Sequence, residues 1–262
     1  MDLLLLGKVA IVTGASKGIG MAVTEGLAGE GALVVAAARR ASSLQGLKNV
    51  TAVATDLLDG EAPAQLVQKT LDQFGRVDIL VNNIGGINVR TDGFLSITDE
   101  DFNRSMTLNF FTTLRASRAV LGAMVEQHSG AIVNIGSADF SVLPDGSTVD
   151  YGVAKAAVGK LTRALAYEFG LRGIRVNAVS PGPVGTDQWL GEAGVAELVA
   201  AARGVNLGDG SESIVSNVGG IATGRFTSPE EVAALVIFLA SPLAANITGA
   251  NYVIDGGLER TV

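Results

Sequence analysis

Cysteine is absent from this 262-residue sequence, and histidine is represented once, by His128. Together these exclude disulfides, thiolate nucleophiles, cysteine metal centres and histidine-cluster metal sites, and they remove most histidine-based acid–base chemistry. The missing cysteines do not fix the compartment. Aromatic residues are scarce, at 5% with one Trp, and there is no run of Lys or Arg. With 19 basic against 26 acidic residues the net charge is −7, which argues against the basic footprint of a nucleic-acid-binding surface. No apolar run approaches the length of a membrane span. "MDLLLL" has neither the basic flank nor the length of a signal peptide. The expectation is a soluble, cytoplasmic protein with no metal, no nucleic-acid partner and no membrane contact. His128, in the turn "EQHSG", is expected at the surface.

What the sequence has in quantity is apolar residues, 48% of the chain, and 34 glycines. Strand-like apolar runs alternate with helical patterns: strands at 8–14, 32–38, 50–57, 77–83, 130–137, 174–184 and 251–257, helices at 18–31, 60–75, 99–127, about 151–171 and 229–240. Thr98 with Asp101, and Ser228 with Glu231, form capping boxes for two of those helices. Alternating β and α with continuously apolar strands predicts an α/β fold, one doubly wound parallel sheet of Rossmann type with helices on both faces. No shift in composition marks a second domain, so residues 1–262 are read as one domain. Residues 185–227 break the rhythm. They are rich in Gly and Ser with one helical patch at 194–204, and they follow a strand's C-terminal end, where such sheets bind ligands; this is the expected substrate lid. Trp189 and Leu190 at its start either line a pocket or pack the lid.

Two motifs carry chemistry. "TGASKGIG", Thr13 to Gly20, joins the first strand to the first helix. Gly14, Gly18 and Gly20 permit a tight turn whose N–H groups, with the helix N-terminus, attract a pyrophosphate. In "DYGVAKAAVGK" (150–160), Tyr151 and Lys155 stand four apart on one helical face. A phenol titrates near ~10, and bringing it toward 7 takes roughly 4 kcal/mol of differential stabilisation of the phenolate. A neighbouring ammonium would supply part of that.

These motifs, with "NNIGG" (82–86), "LNF" around Asn109, "NIGS" ending at Ser137, "SPGPVGT" (180–186) and "VIDGG", stand in the order and spacing of the short-chain dehydrogenase/reductase family, which the sequence resembles over nearly its whole length, on the branch of the 3-oxoacyl-acyl-carrier-protein reductases. The resemblance implies an enzyme that reduces a ketone or oxidises a secondary alcohol. Tyr151 would be the proton donor or acceptor, Ser137 would hydrogen-bond the same substrate oxygen, and Lys155 would lower the Tyr151 pKa and bind the nicotinamide ribose. Asn109 would hold a water linking Lys155 to solvent. It places the cofactor along Gly14, Ser16, Lys17, Gly18, Ile19 and Gly20, then Arg39, Asp56 and Leu57 about the adenosine, with Asp56 at the adenine amine and Leu57 over the ring. Asn83, Gly85, Tyr151, Lys155, Val184 and Thr186 follow about the nicotinamide half. It also implies a homotetramer built on the 99–127 and 151–171 helices and the last strand.

The sequence departs from the family at two places. Ile84 stands where the family has Ala, and Ser137 lies fourteen residues before Tyr151 where thirteen is common. Ser141 is therefore a rival for the Ser137 role. At the end of the second strand, where members preferring NAD carry an acid, this chain has Ala38 followed by Arg39 and Arg40, with Lys17 in the glycine loop. NADP(H) is expected to be preferred, with NAD(H) possible. Residues 186–225 hold five acids against two arginines, which argues against an acidic carrier protein as substrate and for a small free carbonyl compound. A 3-oxoacyl-carrier-protein reductase and a non-catalytic dinucleotide sensor are the alternatives; a sensor need not keep Asn109, Ser137, Tyr151 and Lys155 together.

Overall fold

The structure is a computed structural model that describes residues 2–90, 92–138, 148–192, 194–202 and 221–259. The strands are β1 (Val9–Thr13), β2 (Leu33–Ala38), β3 (Val50–Ala54), β4 (Ile79–Asn82), β5 (Gly130–Ile135), β6 (Ile174–Pro181) and β7 (Asn251–Ile254). The helices are α1 (Gly18–Gly29), α2 (Ala62–Phe74), α3 (Asp99–Met106), α4 (Thr112–Glu126), α5 (Val149–Phe169), α6 (Asp187–Leu190), α7 (Val195–Ala202) and α8 (Pro229–Ala240). The strands pair in parallel as one sheet in the order β3-β2-β1-β4-β5-β6-β7. The chain thus winds outward from β1 to β3, returns to β4 beside β1, and winds outward the other way. The crevice at the carboxyl ends of β1 and β4 is the switch point where such sheets bind ligands.

Alternate strand residues serve two cores. Ala10 and Val12 of β1 face α1 and α8, packing with Val23, Leu27, Val232 and Val236. Ile11 and Val35 point the other way, to Leu66 of α2, Val120 and Met124 of α4 and Ala166 of α5. This is why the strands read as unbroken apolar runs. A buried polar chain fixes the centre: Asn82 Nδ2 donates to Ser117 Oγ at 3.0 Å and to Asn134 Oδ1 at 2.8 Å, and Asn134 Nδ2 donates to Thr162 Oγ1 at 2.9 Å. It locks α4 and α5 in register with β4 and β5.

Both expected capping boxes form, at Thr98–Asp101 and Ser228–Glu231. The expected single helix over 99–127 is instead α3 and α4 joined by five π-helical residues, Thr107–Phe111. The strand expected over 50–57 ends at Ala54, because Asp56 turns the chain: its Oδ1 accepts from Leu58 N at 3.1 Å and its carbonyl from Asp59 N at 3.2 Å. The fifth helix begins at Val149, two residues before the expected start, so Asp150 lies in its first turn. His128 is exposed, with φ +50°. Among the described residues no helix is long and apolar enough to cross a membrane, and no group of three acidic or histidine side chains could hold a metal ion.

Candidate active site

The glycine loop is built tightly between β1 and α1. Gly14 and Gly18 have φ of +64° and +54°, the left-handed region that favours glycine. A Cβ on Gly20 would overlap the Gly14 carbonyl oxygen and lie 2.5 Å from Asn83 Nδ2. Asn83, just beyond β4, ties the loop down: its Nδ2 donates to the Thr13 and Gly14 carbonyls at 3.2 and 3.1 Å, and its N–H donates to Thr13 Oγ1 at 2.9 Å. Ile84 packs beside Gly14, with its Cγ1 3.4 Å from where a Gly14 Cβ would be. Lys17 is the N-cap of α1 and makes no side-chain cap bond, so no side chain covers the helix's first N–H groups from that position. This cradle suits a dinucleotide pyrophosphate. Gly20→Ala is expected to force the loop open at a cost of about 1–3 kcal/mol. Calorimetry would record a Tm lower by several degrees, and an unchanged Tm would show slack in the loop.

The second half of the site forms where α5, the π segment and the β4–α3 connection meet. Asn109 is fully buried. Its Oδ1 accepts from Gly86 N at 2.9 Å, and its Nδ2 donates to the Gly86 carbonyl at 3.0 Å and the Ser105 carbonyl at 3.1 Å. By taking the carbonyl one turn back, the side chain competes with the α-helical bond, which accounts for the π geometry of the segment. Lys155 is 4% exposed and donates from Nζ to the Ile135 carbonyl, at the end of β5, at 2.8 Å. Burial alone lowers its pKa to about 8. Lys155 Nζ and Asn109 Oδ1 both flank Gly85, at 3.1 and 3.0 Å from where its Cβ would be. Lys155 Nζ lies 5.9 Å from the centre of the half-buried Tyr151 ring, one turn earlier on α5. Ser137, 8% exposed, follows β5. The sequence-predicted residues Asn109, Lys155, Tyr151 and Gly85 are therefore brought together. Ser141 and the rest of the 139–147 segment lie outside the described residues, as do residues 203–220 of the expected lid.

At the end of β2, Ala38 is buried and Arg39 and Arg40 are exposed. Among the described residues neither arginine nor Lys17 forms an ion pair. Ser43 Oγ donates to the Ser16 carbonyl at 3.0 Å, which holds the segment after Arg40 against the glycine loop. Asp56 is exposed, whereas the Leu57 side chain is 3% exposed and packs in the core rather than standing free to cover an adenine ring. Thr186 lies against Gly18, its Cγ2 3.2 Å from where a Cβ would be, and Val184 is buried, bridged to Thr227. Trp189 packs edge-on against Phe226 with ring centres 5.6 Å apart, and Leu190 is 45% exposed.

Two residues not expected from the sequence also stand at the site. Arg90, in the β4–α3 connection, contacts Asp150 of α5 and Asp101 of α3. Asp150 adjoins Tyr151 in sequence, but its partner is 60 residues away, and nothing local signals the pair.

Residues 14–259 match the family model for enoyl-(acyl carrier protein) reductases. The chain is 34% identical over 257 residues to the 3-oxoacyl-acyl-carrier-protein reductase of Vibrio cholerae, covering 96% of this chain and 97% of that one. It is 36% identical over 264 residues to the D-threitol dehydrogenase of Mycolicibacterium smegmatis, covering 98% and 94%. Among solved structures, one from Mycobacterium marinum, described as a short-chain type dehydrogenase/reductase, superposes with a TM-score of 0.85 at 30% identity, over 99% of this chain and 98% of that one.

Proposed function

The chain belongs to the short-chain dehydrogenase/reductase family and is an oxidoreductase, and on that premise we propose that it reduces a ketone, or in reverse oxidises a secondary alcohol, with Tyr151 as the general acid or base. The observation that carries this reading is the convergence of a buried ammonium, Lys155, on Asn109 and Gly85 one turn from Tyr151. The nicotinamide dinucleotide, when bound, supplies or accepts the hydride at the substrate carbon. Gly14, Ser16, Gly18, Ile19 and Gly20 would cradle its pyrophosphate at the N-terminus of α1. Asp56 and the backbone of Leu57 would bound the adenine, and Asn83, Gly85, Val184 and Thr186 the nicotinamide half. Tyr151 gives its proton to the carbonyl oxygen, Ser137 donates a hydrogen bond to that oxygen, and Lys155 favours the phenolate that remains.

Within the same proposal, residues 185–227 form a substrate lid on a single domain, and the enzyme works in the cytoplasm as a homotetramer. Exposed Phe111 on the π segment and Val153 and Tyr167 on α5 support the assembly, as does the partly exposed edge strand β7, which a partner would cover. A small hydroxylated or carbonyl compound is the proposed substrate. Reduction of a 3-oxoacyl group on a carrier protein is the second reading, favoured by the likeness to the Vibrio cholerae enzyme. A panel of ketones, polyols and 3-oxoacyl thioesters, followed by the absorbance of reduced nicotinamide, separates the two. Turnover of the carrier-bound thioester alone would put the second reading in place of the first, and turnover of nothing would remove both.

We also propose a preference for NADP(H). Ala38 presents no carboxylate to repel a 2′-phosphate, and Arg39, next in the chain and exposed, and Lys17, at the N-cap of α1, have no ion-pair partners among the described residues. Two charge-assisted contacts favour NADP(H) by about a hundredfold before solvent exposure trims the figure. The kcat/KM ratio for NADPH over NADH is expected well above one in the wild type. Ala38→Asp with Arg39→Ile is expected to bring it below one by adding repulsion and removing attraction. A wild-type ratio below one would mean that Arg39 and Lys17 bind no phosphate.

A further inference from the structure

The connection from β4 to α3 carries Asn83, Gly85 and Gly86, and it is fastened at three points. Asn83 holds the glycine loop, and Gly86 is held by Asn109. The third fastening is Arg90. Its Nη2 lies 3.0 Å from Asp101 Oδ1 and 3.4 Å from Asp150 Oδ2. Asp101 is itself fixed, accepting on Oδ2 from the N–H and hydroxyl of Thr98 at 3.2 and 3.0 Å. Asp150 is 2% exposed, so its carboxylate is removed from water and depends on protein partners. Among the described residues Arg90 is the only cation that pairs with it; Arg104 acts on Asp101. The pairing is also incomplete. A guanidinium presents Nε and Nη2 as a parallel fork that matches the two oxygens of a carboxylate. In this pair Nη2 makes the one contact, and Arg90 Nε and Asp150 Oδ1, which would form the other, are both buried without a partner.

We propose that Arg90 is a positioning residue of the active site, holding the first turn of α5, and with it Tyr151, against the cofactor-side connection through Asp150. It does not touch the reacting atoms. Asp150 occupies the second residue of α5 and Tyr151 the third, so whatever fixes Asp150 fixes the backbone that carries the phenol. The far end of the same helix segment is fixed by the Lys155 bond to β5, and Arg90 fixes the near end. The inference rests on the oxidoreductase reading for its kinetic consequence, whereas the tether itself is a matter of structure.

The test is a double-mutant cycle read in two ways. Arg90→Met is expected to lower kcat by roughly 10- to 100-fold, the scale of a misplaced reacting group, with cofactor Kd changed less than about twofold. Asp150→Leu is expected to lower kcat comparably, and the double variant to be no worse than the poorer single, since one acts through the other. Arg90→Lys, which keeps the charge without the fork, is expected to fall between wild type and Arg90→Met. The second reading is hydrogen exchange at residues 149–152, expected to quicken in Arg90→Met and to return toward the wild-type rate in Arg90→Lys. Losses that multiply in the double variant would overturn the proposal by showing that Arg90 acts independently of Asp150. So would unchanged kcat with a lowered Tm. If the wild type turned over no substrate, the oxidoreductase reading would fail and exchange alone would decide the tether; unchanged protection at 149–152 would then end it.

Discussion

Tyr151→Phe is expected to bind the dinucleotide as the wild type does and to lose kcat by about 10²–10⁴-fold, the usual contribution of a positioned general acid. The substitution removes one oxygen and keeps the ring that lies 5.9 Å from Lys155 Nζ, so the pocket's shape survives. In the reducing direction the carbonyl oxygen would have to take its proton from water, which no side chain positions for the task. On the proposed assignment Ser137 would still donate a hydrogen bond to that oxygen, so residual turnover is expected. The diagnostic is that kcat and kcat/KM fall together while cofactor Kd, read by fluorescence of the reduced dinucleotide, stays within about twofold, because the missing interaction is made with the developing charge. A variant with near wild-type kcat would move the acid to another residue.

Most of the fold was legible in the sequence for one physical reason. A parallel strand covered on both faces has no polar face, so β1, β2 and β4 read as continuous apolar runs, and two cores confirm that both faces are covered. Helix starts at Thr98 and Ser228 were legible because a capping box is local, confined to four residues. The π segment was not. The apolar periodicity of 99–127 passes through it undisturbed, and the Asn109 side chain that takes the Ser105 carbonyl there is itself held by Gly86, 23 residues distant. The same limit hid Arg90 and Asp150. Each is an ordinary charged residue in sequence, and their burial against each other arises only when the β4–α3 connection crosses the start of α5. Leu57 shows the converse: its neighbour Asp56 is exposed, but the Leu57 side chain belongs to the core that closes over β1 and β2. Motif residues at strand ends lie near one another because strand ends converge at the switch point whatever the loops do.

Lys155→Met is expected to abolish turnover and at the same time to stabilise the cofactor-free protein. Lys155 is 4% exposed, and its Nζ has one protein acceptor among the described residues, the Ile135 carbonyl at 2.8 Å. An ammonium so buried without a carboxylate disfavours its charged form, which is why its pKa falls from 10.5 to about 8. Because the folded-state value is depressed for a cation, the folded protein loses its proton first as pH rises. Between about 8 and 10.5 the unfolded chain therefore binds more protons than the folded one, and stability rises with pH across that window. Below pH 8 the full cost of burying the charge is present, on the order of 3 kcal/mol. Methionine fills the same volume without a charge, but it leaves the Ile135 carbonyl one hydrogen bond poorer, which returns about 1 kcal/mol. The net is a Tm higher by several degrees at pH 7 in Lys155→Met, with the gap over the wild type narrowing as pH is raised toward 9.5. Activity is expected to move the other way, with kcat and cofactor affinity both falling, because the ammonium that destabilises the cofactor-free fold is the group proposed to hold the ribose and favour the phenolate. Scanning calorimetry of both proteins from pH 7 to 9.5 checks the sign. A wild type more stable than the variant at pH 7, or a gap that does not change with pH, would show that Lys155 is compensated in the cofactor-free fold and that its charge is not held there at the expense of stability.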